Sequence, residues 1–182
     1  MNLNNQSIVL GLDISTVSTG YSIAKGKTLL TYGCISRNSK KETVSEMLPR
    51  FEQELNTLIE SYNISWASIE APFSGNNPKT LISLSLVHGI AQLCLQKYNI
   101  PFTYYAPMSL KSVLLGHISN KTKDGKKKTG NEMKQEVQNK VIQYFGELKE
   151  PYNFDITDSM SAIIVAQMLD AEPVEKKKSS HK

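Results

Sequence analysis

Three short apolar segments follow one another before the first helical pattern, and afterwards strand-like and helix-like segments alternate; this order restricts the fold more than any other feature of the chain. Ser7 to Ile14 (SIVLGLDI), Tyr21 to Ala24 and Leu29 to Ile35 are separated by Gly20 and by the turn Lys25-Gly26-Lys27, which predicts a meander of three strands. From Val44 the apolar positions Met47, Leu48, Phe51, Leu55, Leu58, Ile59 and Tyr62 recur at helical spacing, with Pro49 tolerable only near the first turn. Trp66 to Ile69 predicts a fourth strand, Lys79 to Tyr98 a long helix and Ile100 to Tyr105 a fifth strand. Helices are then expected from Pro107 to Leu115, from Asn131 to Phe145 and from Asp158 to Leu169. Such a series describes an α/β protein with a sheet of mixed direction.

The 182 residues, 40% hydrophobic and 21% charged, suit one globular domain over residues 1–170. Two segments carry no apolar period. Residues 117–130 (HISNKTKDGKKKTG) hold five lysines against Asp124 and read as a basic loop, and 171–182 read as a disordered basic tail. A net charge of +4 suits a polyanionic partner without requiring one. Cys34 and Cys94 lack the spacing of a zinc site or a disulfide framework. The N-terminus lacks the basic start and apolar run of a signal peptide, and no apolar segment approaches the ~20 residues of a bilayer span, so a cytoplasmic protein is expected.

Four carboxylates stand out: Asp13 closing the first strand, Glu70 closing the fourth, and Asp155 and Asp158 three apart at the start of the last helix. If the first and fourth strands are neighbours, Asp13 and Glu70 emerge side by side, while the spacing of three puts the two aspartates on one face of a turn. Clustered carboxylates repel, and burial raises their pKa values unless a cation compensates. Oxygen donors without cysteine or histidine point to Mg²⁺ or Mn²⁺ rather than zinc. Taken one at a time, each residue has a plainer reading: Asp155 or Asp158 as a helix cap, Glu70 as a solvated strand end, Asp13 in an Asx turn.

The ordered set resembles the RuvC family of Holliday junction resolvases over Ile8 to Met168. Leu10-Gly11-Leu12-Asp13 followed by Gly20-Tyr21, then Leu48-Pro49-Arg50, Ile69-Glu70-Ala71-Pro72-Phe73, and Asp155-Ile156-Thr157-Asp158-Ser159-Met160-Ser161-Ala162-Ile163 are similar to the family's motifs in turn. The resemblance implies a ribonuclease H-like mixed five-stranded sheet with helices on both faces. It also implies a homodimer that acts on four-way and other branched DNA, each subunit nicking one of two opposed strands. Asp13, Glu70, Asp155 and Asp158 would be the catalytic residues and the ligands of two Mg²⁺ ions per subunit, Mn²⁺ substituting, with Asp13 bridging the ions.

By the same resemblance Phe73 would meet unpaired bases, and Lys111 and Lys134 would lie near the scissile backbone; the plainer readings are a loop aromatic and two solvated lysines. The chain departs from the family pattern in its 117–130 loop, which is longer and richer in lysine. Lys121, Lys123, Lys126, Lys127 and Lys128 are expected to contact phosphates, which favours selection by branch shape over base sequence. The helix from Lys79 to Tyr98 is the expected dimer element. Three alternatives stay open. Gly11-Leu12-Asp13-Ile14-Ser15-Thr16 also resembles the first phosphate loop of actin-like and sugar-kinase-like ATPases, although the chain has no room for their second half. The others are a nuclease of this fold acting on RNA–DNA hybrids and a branch-binding protein that does not cut.

Overall fold

The computed structural model describes residues 3, 6–73, 77–116 and 128–169. Its strands are β1 (Ile8–Asp13), β2 (Ser18–Lys25), β3 (Thr28–Ser36), β4 (Trp66–Glu70) and β5 (Phe102–Tyr105). Its helices are α1 (Val44–Tyr62), α2 (Pro78–Lys97), α3 (Pro107–Leu115), α4 (Gly130–Phe145) and α5 (Phe154–Leu169). The strands form one sheet in the order β3-β2-β1-β4-β5. The β1–β2 and β2–β3 pairs are antiparallel hairpin pairs, whereas β1–β4 and β4–β5 are parallel, as their crossover helices require.

Period-two alternation divides each strand between two cores. Leu10, Leu12, Ile23, Ile35, Ala67 and Ile69 face α1 and α2, where Phe51, Leu55, Val87 and Leu95 meet them. Val9, Ala24 and Trp66 face the other layer, built from α3, α4 and α5. The α5 helix lies directly on β1, β2 and β4, with α3 and α4 packed against it. Residues 156 to 166 on α5 are buried except Asp158, so its apolar and small residues reach all round, as suits a helix covered on both sides.

Thr43 caps α1 with a capping box to Glu46, which sets its first turn at Val44. Pro49 falls in the second turn rather than the first, where it removes the helical donor for the Ser45 carbonyl without ending the helix. Contrary to the expectation that no apolar stretch nears twenty residues, α2 is 20 residues long and contains an 18-residue window with a mean hydropathy of 1.2. It is apolar on two faces. Leu84, Val87, Ala91, Cys94 and Leu95 enter the core, while Ile82, Leu86 and Leu93 are exposed along a second stripe. Among the described residues Cys34 and Cys94 are free thiols.

Candidate active site

β1 and β4 are neighbours, with Leu12 opposite Ile69, so Asp13 and Glu70 leave the sheet side by side at its carboxyl edge. Counting in steps of two from Val9 and Trp66 puts both side chains on the α5 face. The helix then delivers the other two carboxylates. It starts at Phe154, four residues before the expected Asp158, so Asp155 and Asp158 both lie inside its first two turns. Asn153 takes the capping role instead: its Oδ1 accepts the Ile156 N–H at 3.0 Å.

Two glycines set how closely α5 approaches. A Cβ on Gly20, which pairs with Asp13 across the β1–β2 ladder, would stand 2.0 Å from the Asp155 carbonyl oxygen. One on Gly11 would stand 2.1 Å from the Ser159 carbonyl oxygen. The backbone of α5 therefore occupies the space that side chains would fill, and no larger residue fits. Buried hydroxyls hold this contact. Ser68 donates to the Ala162 carbonyl at 2.6 Å, and the Ser159 hydroxyl lies 3.0 Å from that of Ser22. Gly20, read from the sequence as a break between strands, is an interior residue of β2.

The electrostatics follow from this crowding. Burial, then the charges of Glu70, Asp158 and Asp155, push the Asp13 carboxyl up to about 8, with Lys134 pulling the other way. Glu70 is pushed up to about 7, first by burial and then by Asp158, against the pull of Lys111 and Lys134. Burial also raises Asp158, opposed by the same two lysines. All four predicted carboxylates and both predicted lysines thus act on one another at one end of the sheet.

Among the described residues no three Asp, Glu, His or Cys side chains are already drawn into a chelating group. The donor set fits a hard divalent ion: it is all oxygen, its members lie on backbone fixed by the sheet and α5, and two of the raised carboxyls ionise fully at neutral pH only with added positive charge.

The other expected residues divide. Phe73, three residues beyond Glu70, is 76% exposed. Lys134 is half-buried on α4 with its Nζ 5.3 Å from the centre of the Phe154 ring, a cation–π contact that steadies it beside the carboxylates. Lys128 is tied to Glu136 at 2.6 Å, so its charge is already compensated. Lys121, Lys123, Lys126 and Lys127 lie outside the described residues, as does the tail from residue 170.

Sequence reasoning missed four contributors. Gly11 carried a signal, since it stands two residues before Asp13 and shares its face. Asn153 carried another, as an asparagine just ahead of an apolar helix. Phe154 gave none. Nor did Arg37, whose Nε donates to the Thr16 carbonyl at 2.7 Å while its N–H donates to that of Val17 at 2.7 Å, bracing the loop that follows Asp13.

Comparison with known proteins decides the family. The model of the crossover junction endodeoxyribonuclease RuvC family matches residues 9–166. The chain belongs to the RuvC family. It is 30% identical to the crossover junction endodeoxyribonuclease RuvC of Petrotoga mobilis over 114 residues, covering 60% of this chain and 69% of the relative. Against that of Christiangramia forsetii it is 25% identical over 166 residues, covering 89% and 80%. Among solved structures, Thermus thermophilus RuvC in complex with a Holliday junction substrate superposes with a TM-score of 0.74 at 16% identity, covering 92% of this chain and 99% of that one. The shared fold is the ribonuclease H-like α/β architecture expected from the sequence, a mixed five-stranded sheet with helices on both faces.

Proposed function

We propose that this RuvC-family protein is a structure-selective endonuclease that resolves Holliday junctions and related branched DNA by paired, metal-dependent hydrolysis of phosphodiester bonds. One observation carries the reading: carboxylates from β1, β4 and α5 meet at the carboxyl edge of the sheet, facing lysines from α3 and α4. Acids that hold cations and bases that hold phosphates are what phosphodiester hydrolysis requires at one place.

Asp13, Glu70, Asp155 and Asp158 would hold two Mg²⁺ ions, or Mn²⁺ in their place. Such ions lower the pKa of an attacking water and stabilise the leaving oxygen. The protein's own groups do the rest. Its fixed strand ends and α5 set where the carboxylates stand, and Lys111 and Lys134 hold the scissile phosphate and offset the charge around it. The products are a 5′-phosphate and a 3′-hydroxyl, which are ligatable ends.

Phe73 stacks on an unpaired base at the branch point. Lys121, Lys123, Lys126 and Lys127 contact phosphates, joined by Lys128 if it exchanges Glu136 for DNA, and these contacts read shape rather than base sequence. Two copies pair through α2, whose exposed Ile82, Leu86 and Leu93 form a stripe that a second copy covers, matching the two-fold symmetry of a four-way junction. The nuclease domain spans residues 1–170 with a basic tail beyond it, and it works on DNA in the cytoplasm of a bacterial or phage-infected cell.

The test is cleavage of a labelled four-way junction, beside linear duplex and an RNA–DNA hybrid, by wild type and Asp13→Asn with Mg²⁺ present. Paired incisions on opposed junction strands, lost in the variant, are expected. Cutting of the hybrid alone would make the protein a ribonuclease, and an uncut junction would leave a branch-binding protein.

A further inference from the structure

Because β1, β4 and β5 are parallel, the chain leaves all three at the same end of the sheet, the end that bears the carboxylates. Each exit carries a large exposed apolar side chain: Val17 after β1 is 49% exposed, Phe73 after β4 76% and Met108 after β5 59%. Phe73 already has a role by family resemblance, and Met108 has none.

Met108 is the second residue of α3 and stands three positions before Lys111, a spacing that puts both side chains on one face of the helix. The start of α3 lies beside the site, because Tyr105, three residues before Met108, pairs with Glu70 across the β4–β5 ladder. Met108 plays no part in holding α3 down: Leu110 and Leu114 are buried against the core and do that. A flexible, polarisable thioether is instead held out in water one turn from Lys111, whose charge attracts a phosphate backbone.

Methionine is among the side chains that wedge between base steps and unstack them. Paired and stacked duplex offers such a wedge little apolar surface, whereas bases at a branch point are already unstacked and offer a face at once. An apolar post next to basic residues at a nuclease site therefore gains most of its contact on branched DNA.

We propose that Met108 is a second wedge beside Phe73, placed against an unstacked base at the branch point, and that it contributes to selection of branched over linear DNA. This inference rests on the resolvase reading. Lys111, one turn on, serves a different purpose, since a phosphate contact strengthens binding to junction and duplex alike and weakens with salt.

The experiment measures Kd for a four-way junction and for linear duplex of the same length. It uses the full-length chain carrying Asp13→Asn to prevent cutting, with and without Met108→Ser, Met108→Leu or Leu30→Ser. A 2-aminopurine at the branch reports unstacking. Leu30 is an exposed residue of β3 near the β2–β3 hairpin, at the other end of the sheet, and serves as the control. Met108→Ser is expected to weaken junction binding roughly five- to tenfold, in the range of one lost base stack, and to reduce the 2-aminopurine signal. Duplex affinity stays unchanged, Met108→Leu restores most of the loss, and Leu30→Ser changes neither. Unchanged junction affinity in Met108→Ser, or equal weakening on junction and duplex, would overturn the proposal. A parent chain that binds junction no better than duplex would instead overturn the resolvase reading beneath it.

Discussion

The two faces of the sheet are built to different rules although the same strands supply both. Toward α1 and α2 the strands present Leu10, Leu12, Ile23, Ile35 and Ile69, large side chains that interlock with Phe51 and Leu55. Toward α5 they present Gly11, Gly20, Ser22 and Ser68, and the helix backbone comes down to where a Cβ would be. The first face secures burial, which is proportional to area and tolerant of detail. The second secures distance, and the carboxylates at its edge depend on it. Stability and chemistry are thus separated across one sheet, residue by alternate residue.

The largest effect that would break this comparison is Gly20→Ala. A methyl 2.0 Å from the Asp155 carbonyl must lift the first turn of α5, carrying Asp155 and Asp158 away from Asp13. A displacement near 1 Å costs about 100-fold in rate, so junction cleavage by the folded variant should fall at least ~100-fold. Leu55→Ala on the opposite face should do the reverse. It should cost about 3 kcal/mol, seen as a fall of roughly 10 °C in Tm, while the cleavage rate at low temperature stays within a few-fold of wild type. Equal effects of the two substitutions on rate would erase the distinction between the faces.

A smaller effect sharpens it through pH. In the metal-free folded protein Asp13 titrates at about 8, against an ordinary 3.8. Between those values the folded state binds a proton that the unfolded state has released, so this group's contribution is fully present below the ordinary value and is lost as pH rises toward 8. Glu70, held at about 7, adds to the same trend. Asp13→Asn removes the larger part. With chelator present the variant should be more stable than wild type near pH 8, by about 2 kcal/mol after allowance for solvent screening, or roughly 5 °C in Tm. Near pH 4 the two should melt together. Thermal melts across that range decide it, and a variant less stable than wild type at both ends would show that Asp13 is a structural residue.

Most of the framework was legible because each element announces itself locally. The three opening strands, the β4 and β5 runs and the α1 stripe depend on periodicity and turn chemistry within a few residues. Asp13 and Glu70 could be placed at strand ends for the same reason. What escaped depends on contacts distant in sequence. Gly20 looks like a strand break until β2 is seen to run beneath α5, and the contact joins residues 20 and 155. The start of α5 was placed four residues late because Asp158 is a good cap by itself, while the Asn153 cap brings Asp155 inside the helix. The placement of Lys134 over Phe154 joins two helices whose pairing no local pattern reveals. The stripe on α2 shows the opposite case: apolar residues were legible, but only the fold shows that Ile82, Leu86 and Leu93 remain outside the core.

The central claim is that the four carboxylates form one cation site in which Asp13 takes part. Calorimetric titration of Mg²⁺ into wild type and Asp13→Asn near neutral pH, repeated in buffers of different ionisation enthalpy, tests it most directly. The account predicts that wild type binds Mg²⁺ with release of protons, because a cation drives off those that Asp13 and Glu70 retain. Asp13→Asn should bind far more weakly and release fewer. Binding of equal strength and equal proton release in both proteins would contradict the account, since the cation would then sit elsewhere than at Asp13.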